Sequence, residues 1–450
     1  MSGRAAGSKG AHCHAPLAMS NPAAVEADTI LGKLRASRPA QGLAGRIRLP
    51  GDTALGLRAM AIAALAVGST DITGLPDGAP VQSMARALRQ LGAGVEQLPQ
   101  ATHWRVQGRG IGGLQEPARP LDAGTFPLVA HLLSGVVAGH PLFATLCGGE
   151  APLLPLTEAL AAMGARIAGR RGRRPPLAFE GSAELLPFDI SLAADPEGAL
   201  TAALLLAGLC ARGDSRLTGA IPAGMDTLLR HFGAVLRQEG RTLVLEGQPE
   251  LQAAPLHLPA DPLAAAAALV AGLLVPGSRI IVEDVAPDSP FLAALRALGA
   301  APEAVAGHVT LEHGPLRGAD LAEVHILQLH AEGPLLALAA AFAQGSTRLR
   351  GAAGWGESRL EALIRLLNAN GAKTLREGND LILTGDGRPL PGGGHLPTQE
   401  EPCIAMSAIV LGLAADTAVT LEDTRPLDTA LPGGLQALTA AAGATALVRA

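Results

Sequence analysis

The 450-residue sequence contains no tyrosine, only seven phenylalanines and only two tryptophans, which leaves few rings on which nucleic-acid bases could stack. It also lacks an excess of positive charge: 35 basic side chains face 40 acidic ones, for a net charge of −5. A phosphate backbone asks for the opposite balance, so nucleic acid is not expected as a partner. Long hydrophobic runs are missing as well. Stretches such as Ala264–Val275 fall short of the roughly 20 residues a bilayer span needs, and no membrane association is expected. Cysteine is scarce, and Cys13, Cys147, Cys210 and Cys403 are too far apart for a paired metal spacing. They read as buried thiols in a reducing, cytoplasmic setting. Residues 1–40 show neither periodicity nor the charged start and apolar segment of a secretory signal, and read as a flexible leader. Their His12-Cys13-His14 triplet falls short of the four ligands of a structural zinc site and reads as an incidental polar cluster.

What the chain has in quantity is apolar content, 48%, enough for a large core divided over two or three domains. It also repeats. A short apolar stretch closing on Gly-Ala recurs at Gly92, Gly164, Gly233, Gly299, Gly371 and Gly443, at intervals of 66 to 72 residues. In phase with it runs an Ala/Leu-rich helix stopped at Gly68, Gly139, Gly213, Gly277, Gly345 and, in the last copy, Asp416. Alternating residues that read as a strand follow each stop. Glycine suits the helix end because it accepts the left-handed conformation that closes a C-terminus. A period near 70 is too long for a solenoid repeat of roughly 20–50 residues. The reading is therefore an α/β protein made of six copies of one small α/β unit.

Several segments make this repeat resemble the 5-enolpyruvylshikimate-3-phosphate (EPSP) synthases. LAGRIRLPGDTALGLRAMAIAALAVGSTDITGL is similar to that family's opening segment, LDAGTFPLVAHLLSGVVAG to its second unit, and LLLAGLCARG with LRHFGA to its third. AEGPLLALAAAFAQGSTRLRG, GESRLEAL and EEPCIAMSAIVLGLA are similar to the last two units. The resemblance covers residues 42 to about 445. It implies the two-lobed enolpyruvyl transferase fold, an inside-out α/β barrel with three units per lobe around buried parallel helices. The N-terminal lobe would span 51–259 and the C-terminal lobe 41–50 plus 260–450, with crossings near Pro50 and Pro259 and the active site in the cleft between. It further implies a monomer that transfers the enolpyruvyl group of phosphoenolpyruvate to the 5-hydroxyl of shikimate 3-phosphate. That is a step of the shikimate pathway to aromatic amino acids, and it uses no metal or organic cofactor.

Two such substrates carry two phosphates and two carboxylates, so their site needs several Lys and Arg donors, a proton donor and a base. Set against the family, this sequence has exchanged most of them. Pro-Gly-Asp-Lys-Ser-x-Ser-His-Arg reads PGDTALGLR, with Thr53 for Lys, Ala54 for Ser and only Arg58 kept. Asn-Ser-Gly-Thr reads Thr125-Phe126-Pro127-Leu128, and the Arg beyond it reads His131. Arg-Pro-Met reads Ala151-Pro152-Leu153, and Ser-Ala-Gln reads Glu197-Gly198-Ala199. The base Asp reads Ala331 beside a retained Glu332, and Lys-Glu-Ser-Asp-Arg reads Gly356-Glu357-Ser358-Arg359. Asp-His-Arg reads Glu401-Pro402-Cys403, and the last family Lys has no counterpart in LDTALPGGL. The resemblance thus carries over Glu357 and Glu332 as catalytic candidates, and Arg58 and Arg359 as substrate-binding ones. Small anionic substrates are expected if the protein is active, with weak or absent transfer. A second reading is a catalytically silent homologue that binds a less anionic ligand or a protein partner, since Leu55, Leu57, Phe126 and Leu128 bring apolar surface to the same loops. A different transfer reaction on the same fold is a third.

Overall fold

The computed structural model describes residues 32–449 apart from 101, 150–151, 171–172, 193–194, 196–197, 220, 223, 288 and 398–400. The His12-Cys13-His14 triplet and most of the expected leader lie outside the described residues. Six four-stranded sheets are present, and all share one order. In the second unit, Leu121–Asp122 runs parallel to Phe143–Cys147, which is antiparallel to Leu177–Glu180, which in turn is antiparallel to Arg166–Gly169.

Three sheets borrow a strand from a distant part of the chain. Leu256–His257 completes the first unit beside Ser69–Thr73, and Ala44–Ile47 completes the fourth beside Arg279–Val282. In the sixth, Leu34–Ala36 sits between Val419–Leu421 and Leu447–Arg449. This corrects the reading of residues 1–40 as a leader, because Leu34 and Ala36 are buried strand residues.

Each unit contributes one central helix: Thr53–Leu65, Pro127–Ala138, Ala199–Cys210, Pro262–Leu274, Gly333–Ala341 and Pro402–Ala414. Their Ala/Leu/Gly composition has no polar face, and the helices are enclosed accordingly. Every residue from Leu263 to Leu274 and from Cys403 to Ala414 is buried. A helix that is apolar all round belongs inside a core. The six Gly-Ala closures end the outer helices, and all six glycines have φ between +87° and +113°. In the first five, the alanine N–H bonds to the carbonyl five residues back, as Ala93 does to Leu88 and Ala372 to Leu367. That is the Schellman closure, which leaves the chain turned toward the next strand.

The buried side chains form two separate cores. One draws on residues 34–47 and 260–447, the other on 57–258. Between them the two crossing segments pair: the Asp52 N–H donates to the Pro259 carbonyl and the Asp261 N–H to the Pro50 carbonyl, each at 2.9 Å.

Close approach of central helices is sharpest at Gly135, where a Cβ would stand 2.2 Å from the Ala203 carbonyl oxygen. Gly135→Ala is expected to lower stability by about 1–3 kcal/mol, read from the urea midpoint. Gly314→Ala, where a Cβ meets nothing within 4 Å, should change it by less than about 0.5 kcal/mol.

Candidate functional site

The entry turns of all six central helices converge on one cavity of about 500 Å³. The first helix supplies Asp52, Ala54 and Arg58, the second Leu128, the third Asp195 and Gly198, the fourth Asp261, Pro262 and Leu263. The fifth supplies His330, Ala331 and Glu332, and the sixth Glu401, Pro402 and Cys403. Arg359 reaches the same space from the outer helix Glu357–Ala369.

Six helix N-termini ordinarily make a strong anion site, because their free N–H groups and dipoles point at the ligand. Here the chain's own carboxylates fill much of it. Asp52 accepts from the Leu55 N–H at 2.9 Å. Asp261 accepts from Leu263 and Ala264 at 2.9 and 3.1 Å, and Asp195 from Thr201 at 2.7 Å. Prolines remove further donors from the first turns, at Pro127, Pro262, Pro334 and Pro402, since the ring nitrogen carries no hydrogen.

The charges follow the same pattern. Five carboxyl groups line the cavity (Asp52, Asp195, Asp261, Glu332 and Glu401) against two guanidiniums, Arg58 and Arg359. Positions 193–194, 196–197, 220, 223 and 398–400, chain neighbours of the lining residues outside the described set, include neither Lys nor Arg. Arg58 is buried beside Asp52 and Asp195, whose charges offset part of the burial that lowers its pKa. Arg359 pairs through Nε with Glu401 and donates from Nη1 to the His330 carbonyl at 3.1 Å.

Burial raises the pKa of three of the carboxyls. Asp52 is pushed up by enclosure. Asp261 reaches about 8, through burial first and then repulsion from Asp52. Glu332 reaches about 6, again mainly through burial. Burial and then Arg359 push the His330 imidazole down, favouring its neutral form. The Cys403 thiol is driven up to about 12 by burial, which keeps it protonated.

Of the four residues singled out from sequence, Arg58, Glu332 and Arg359 meet at the cavity. Glu357 does not. It is exposed and held by a two-pronged pair with Arg376, with Nη2 to Oε2 at 2.9 Å, and that partner lowers its pKa. Ala331 stands in the wall where the base was expected to be missing. Thr53 is buried at the former lysine position, and its hydroxyl has no partner. His131 lies aside, its Nδ1 on the Pro127 carbonyl at 2.8 Å, and Leu128 reaches the cavity instead. Glu197 and Ala151 lie outside the described residues. Sequence reasoning missed Asp52, Asp195 and Asp261 as a group. A signal existed in the matching tripeptides Pro50-Gly51-Asp52 and Pro259-Ala260-Asp261, each opening an Ala-rich helix.

The family model of EPSP synthase (3-phosphoshikimate 1-carboxyvinyltransferase) matches residues 37–438. The chain belongs to the EPSP synthase family. The 3-phosphoshikimate 1-carboxyvinyltransferase of Granulibacter bethesdensis is 41% identical over 425 residues, covering 88% of this chain and 93% of that protein. That of Acidiphilium cryptum is 39% identical, covering 88% and 94%. Among solved structures, the EPSP synthase of Acinetobacter baumannii superposes with a TM-score of 0.81 at 25% identity, covering 91% of this chain and 98% of that one. The enolpyruvyl transferase NikO of Streptomyces tendae shares the fold at a TM-score of 0.74 and 20% identity, covering 91% and 97%. The fold of the family is thus present over nearly the whole chain, with a cleft whose described charges are mostly negative. Among the described residues no group of three or more His, Cys, Asp and Glu could hold a metal ion, and no helix is long and apolar enough to cross a membrane.

The raised carboxyls predict a pH dependence of stability. An unfolded aspartate titrates near 3.8, whereas folded Asp261 titrates at about 8. Between these values the folded protein keeps a proton that the unfolded chain has released, so stability falls as pH rises from about 4 to about 8. The slope should be about 1 kcal/mol per pH unit for each proton retained. Asp261→Asn, which keeps a good cap, should flatten it in urea titrations at pH 5, 6.5 and 8.

Proposed function

We propose that this EPSP synthase homologue transfers the enolpyruvyl group of phosphoenolpyruvate to shikimate 3-phosphate weakly or not at all, as a cytoplasmic monomer whose cleft is complete within one chain. The observation that carries this reading is the ratio of five carboxyls to two guanidiniums around the cavity, with Arg359 engaged by Glu401 and Arg58 set beside Asp52 and Asp195. Each charge-assisted contact to a ligand is worth about 1.5–3 kcal/mol. Thr53, His131 and Cys403 stand where the family's pattern calls for cations, so the deficit reaches several such contacts. The electrostatic stabilisation that usually dominates transfer chemistry is lost with them.

One group keeps a chemical capability. Glu332, raised to about 6, lies in the range where a carboxylate serves best as a general base near neutral pH, and it adjoins Ala331 at the base position. Residual transfer would run through it.

Phosphate release measured with both substrates at saturating concentration tests the reading. The expected rate is at least ~1,000-fold below that of the Granulibacter bethesdensis relative, falling to blank in Glu332→Gln. A rate within tenfold of that relative would overturn it.

A further inference from the structure

We infer that the interlobe cavity takes an organic cation, a protonated primary amine on an apolar frame, in place of phosphorylated acids. This rests on the reading that the cavity no longer gathers phosphates, and it names what the remaining groups fit.

The sign of the site comes first. With every group ionised, the described lining carries three more negative charges than positive ones. Asp52 is near enough to raise the pKa of both Asp261 and Glu332, and Glu332 that of Asp261, so a single ammonium among them would face three carboxyls at once. Glu332 lacks a counter-charge. It is deeply enclosed and lines the cavity. Among the described residues, no Lys, Arg or His forms an ion pair with it, and the backbone N–H groups of Ala331 and Glu332 are what lowers its pKa against that burial. A buried carboxylate without a cation is expensive, and an ammonium ligand would supply the missing partner.

Apart from the Gln328 amide, the rest of the wall is mostly apolar, with Leu128, Ile221, Pro222, Leu263 and Leu431 facing the space. A cavity of about 500 Å³ lies within the roughly 300–1,000 Å³ typical of small-molecule sites.

The lining also separates kinds of cation. Quaternary ammonium groups are recognised by cages of aromatic rings, and no Phe or Trp lines this cavity. What the wall offers is hydrogen-bond acceptors, and a primary ammonium brings three donors.

Calorimetric titration of the full chain at pH 7.5 with benzylammonium, benzyltrimethylammonium, benzyl alcohol, benzoate and shikimate 3-phosphate tests this. Benzylammonium is expected to bind at least tenfold tighter than each of the other four. Its affinity should fall at least tenfold in Glu332→Gln, and also at pH 5, where Glu332 gains its proton. Asp52→Asn, which keeps a good cap, offers the same readout should Glu332→Gln fail to fold, with melting temperature confirming folding in each case. Equal binding of amine and alcohol, or benzylammonium binding untouched by both variants, overturns the inference. If neither benzylammonium nor shikimate 3-phosphate binds, the amine inference falls and the reading of weak transfer stands. Shikimate 3-phosphate binding tighter than the amine overturns both.

Discussion

The two lobes are joined where Pro50–Asp52 and Pro259–Asp261 run against each other, tied by a pair of reciprocal 2.9 Å backbone bonds. Each segment ends in an aspartate that caps the central helix it opens. This double cap sets the start of both helices and therefore the position of both lobes' cores. It also places two carboxyls together in an enclosed space, and their mutual repulsion adds to burial in lifting Asp261 to about 8. An aspartate cap stabilises a helix by about 1 kcal/mol, so the junction and the negative charge at its base come as one feature.

Whether such a cleft binds anions then depends on how many cations stand over that base. Two like charges at 4 Å repel by about 4 kcal/mol at an effective dielectric of 20, and each in-chain carboxylate must be answered before a phosphate can enter. Arg58 lies between Asp52 and Asp195, and Arg359 is paired with Glu401. The guanidiniums thus balance the protein itself. The chain has three lysines in all, Lys9, Lys33 and Lys373; Lys9 lies outside the described residues, and neither Lys33 nor Lys373 lines the cavity. The described arginines just before Pro175 do not either. Arg173 donates to the Ile167 carbonyl at 2.7 Å, and Arg170 and Arg174 are not among the lining residues.

The architecture was legible because its signals are local. A Gly-Ala helix end needs one left-handed residue, and all six glycines named from sequence adopt it. Apolar runs without a polar face predicted enclosed helices for the same local reason. Leu34–Ala36 was not legible as a strand, since three residues carry no periodicity and its partners Leu421 and Arg449 lie at the far end of the chain. Glu357 was placed at the site by a motif shared with the family, but its side chain follows Arg376 on the adjacent strand Lys373–Glu377. The dominance of carboxyls arises only when six helix starts meet in space, a sum that no single motif displays.

Packing accounts for why the helix bodies match the family while the helix starts depart from it. The bodies are surrounded on every side, and truncating one Leu there costs about 2–5 kcal/mol in lost contacts and cavity. The positions where the family's cations read Thr53, His131 and Cys403 lie near the starts of their helices, so these exchanges leave the helix bodies and the two cores intact. Arg359 fits the same account from the other side. Through Glu401 it ties the outer helix Glu357–Ala369 of the fifth unit to the start of the sixth central helix, with only 12% of its side chain exposed. Its persistence is thus explained by packing between units, without any anionic ligand to hold.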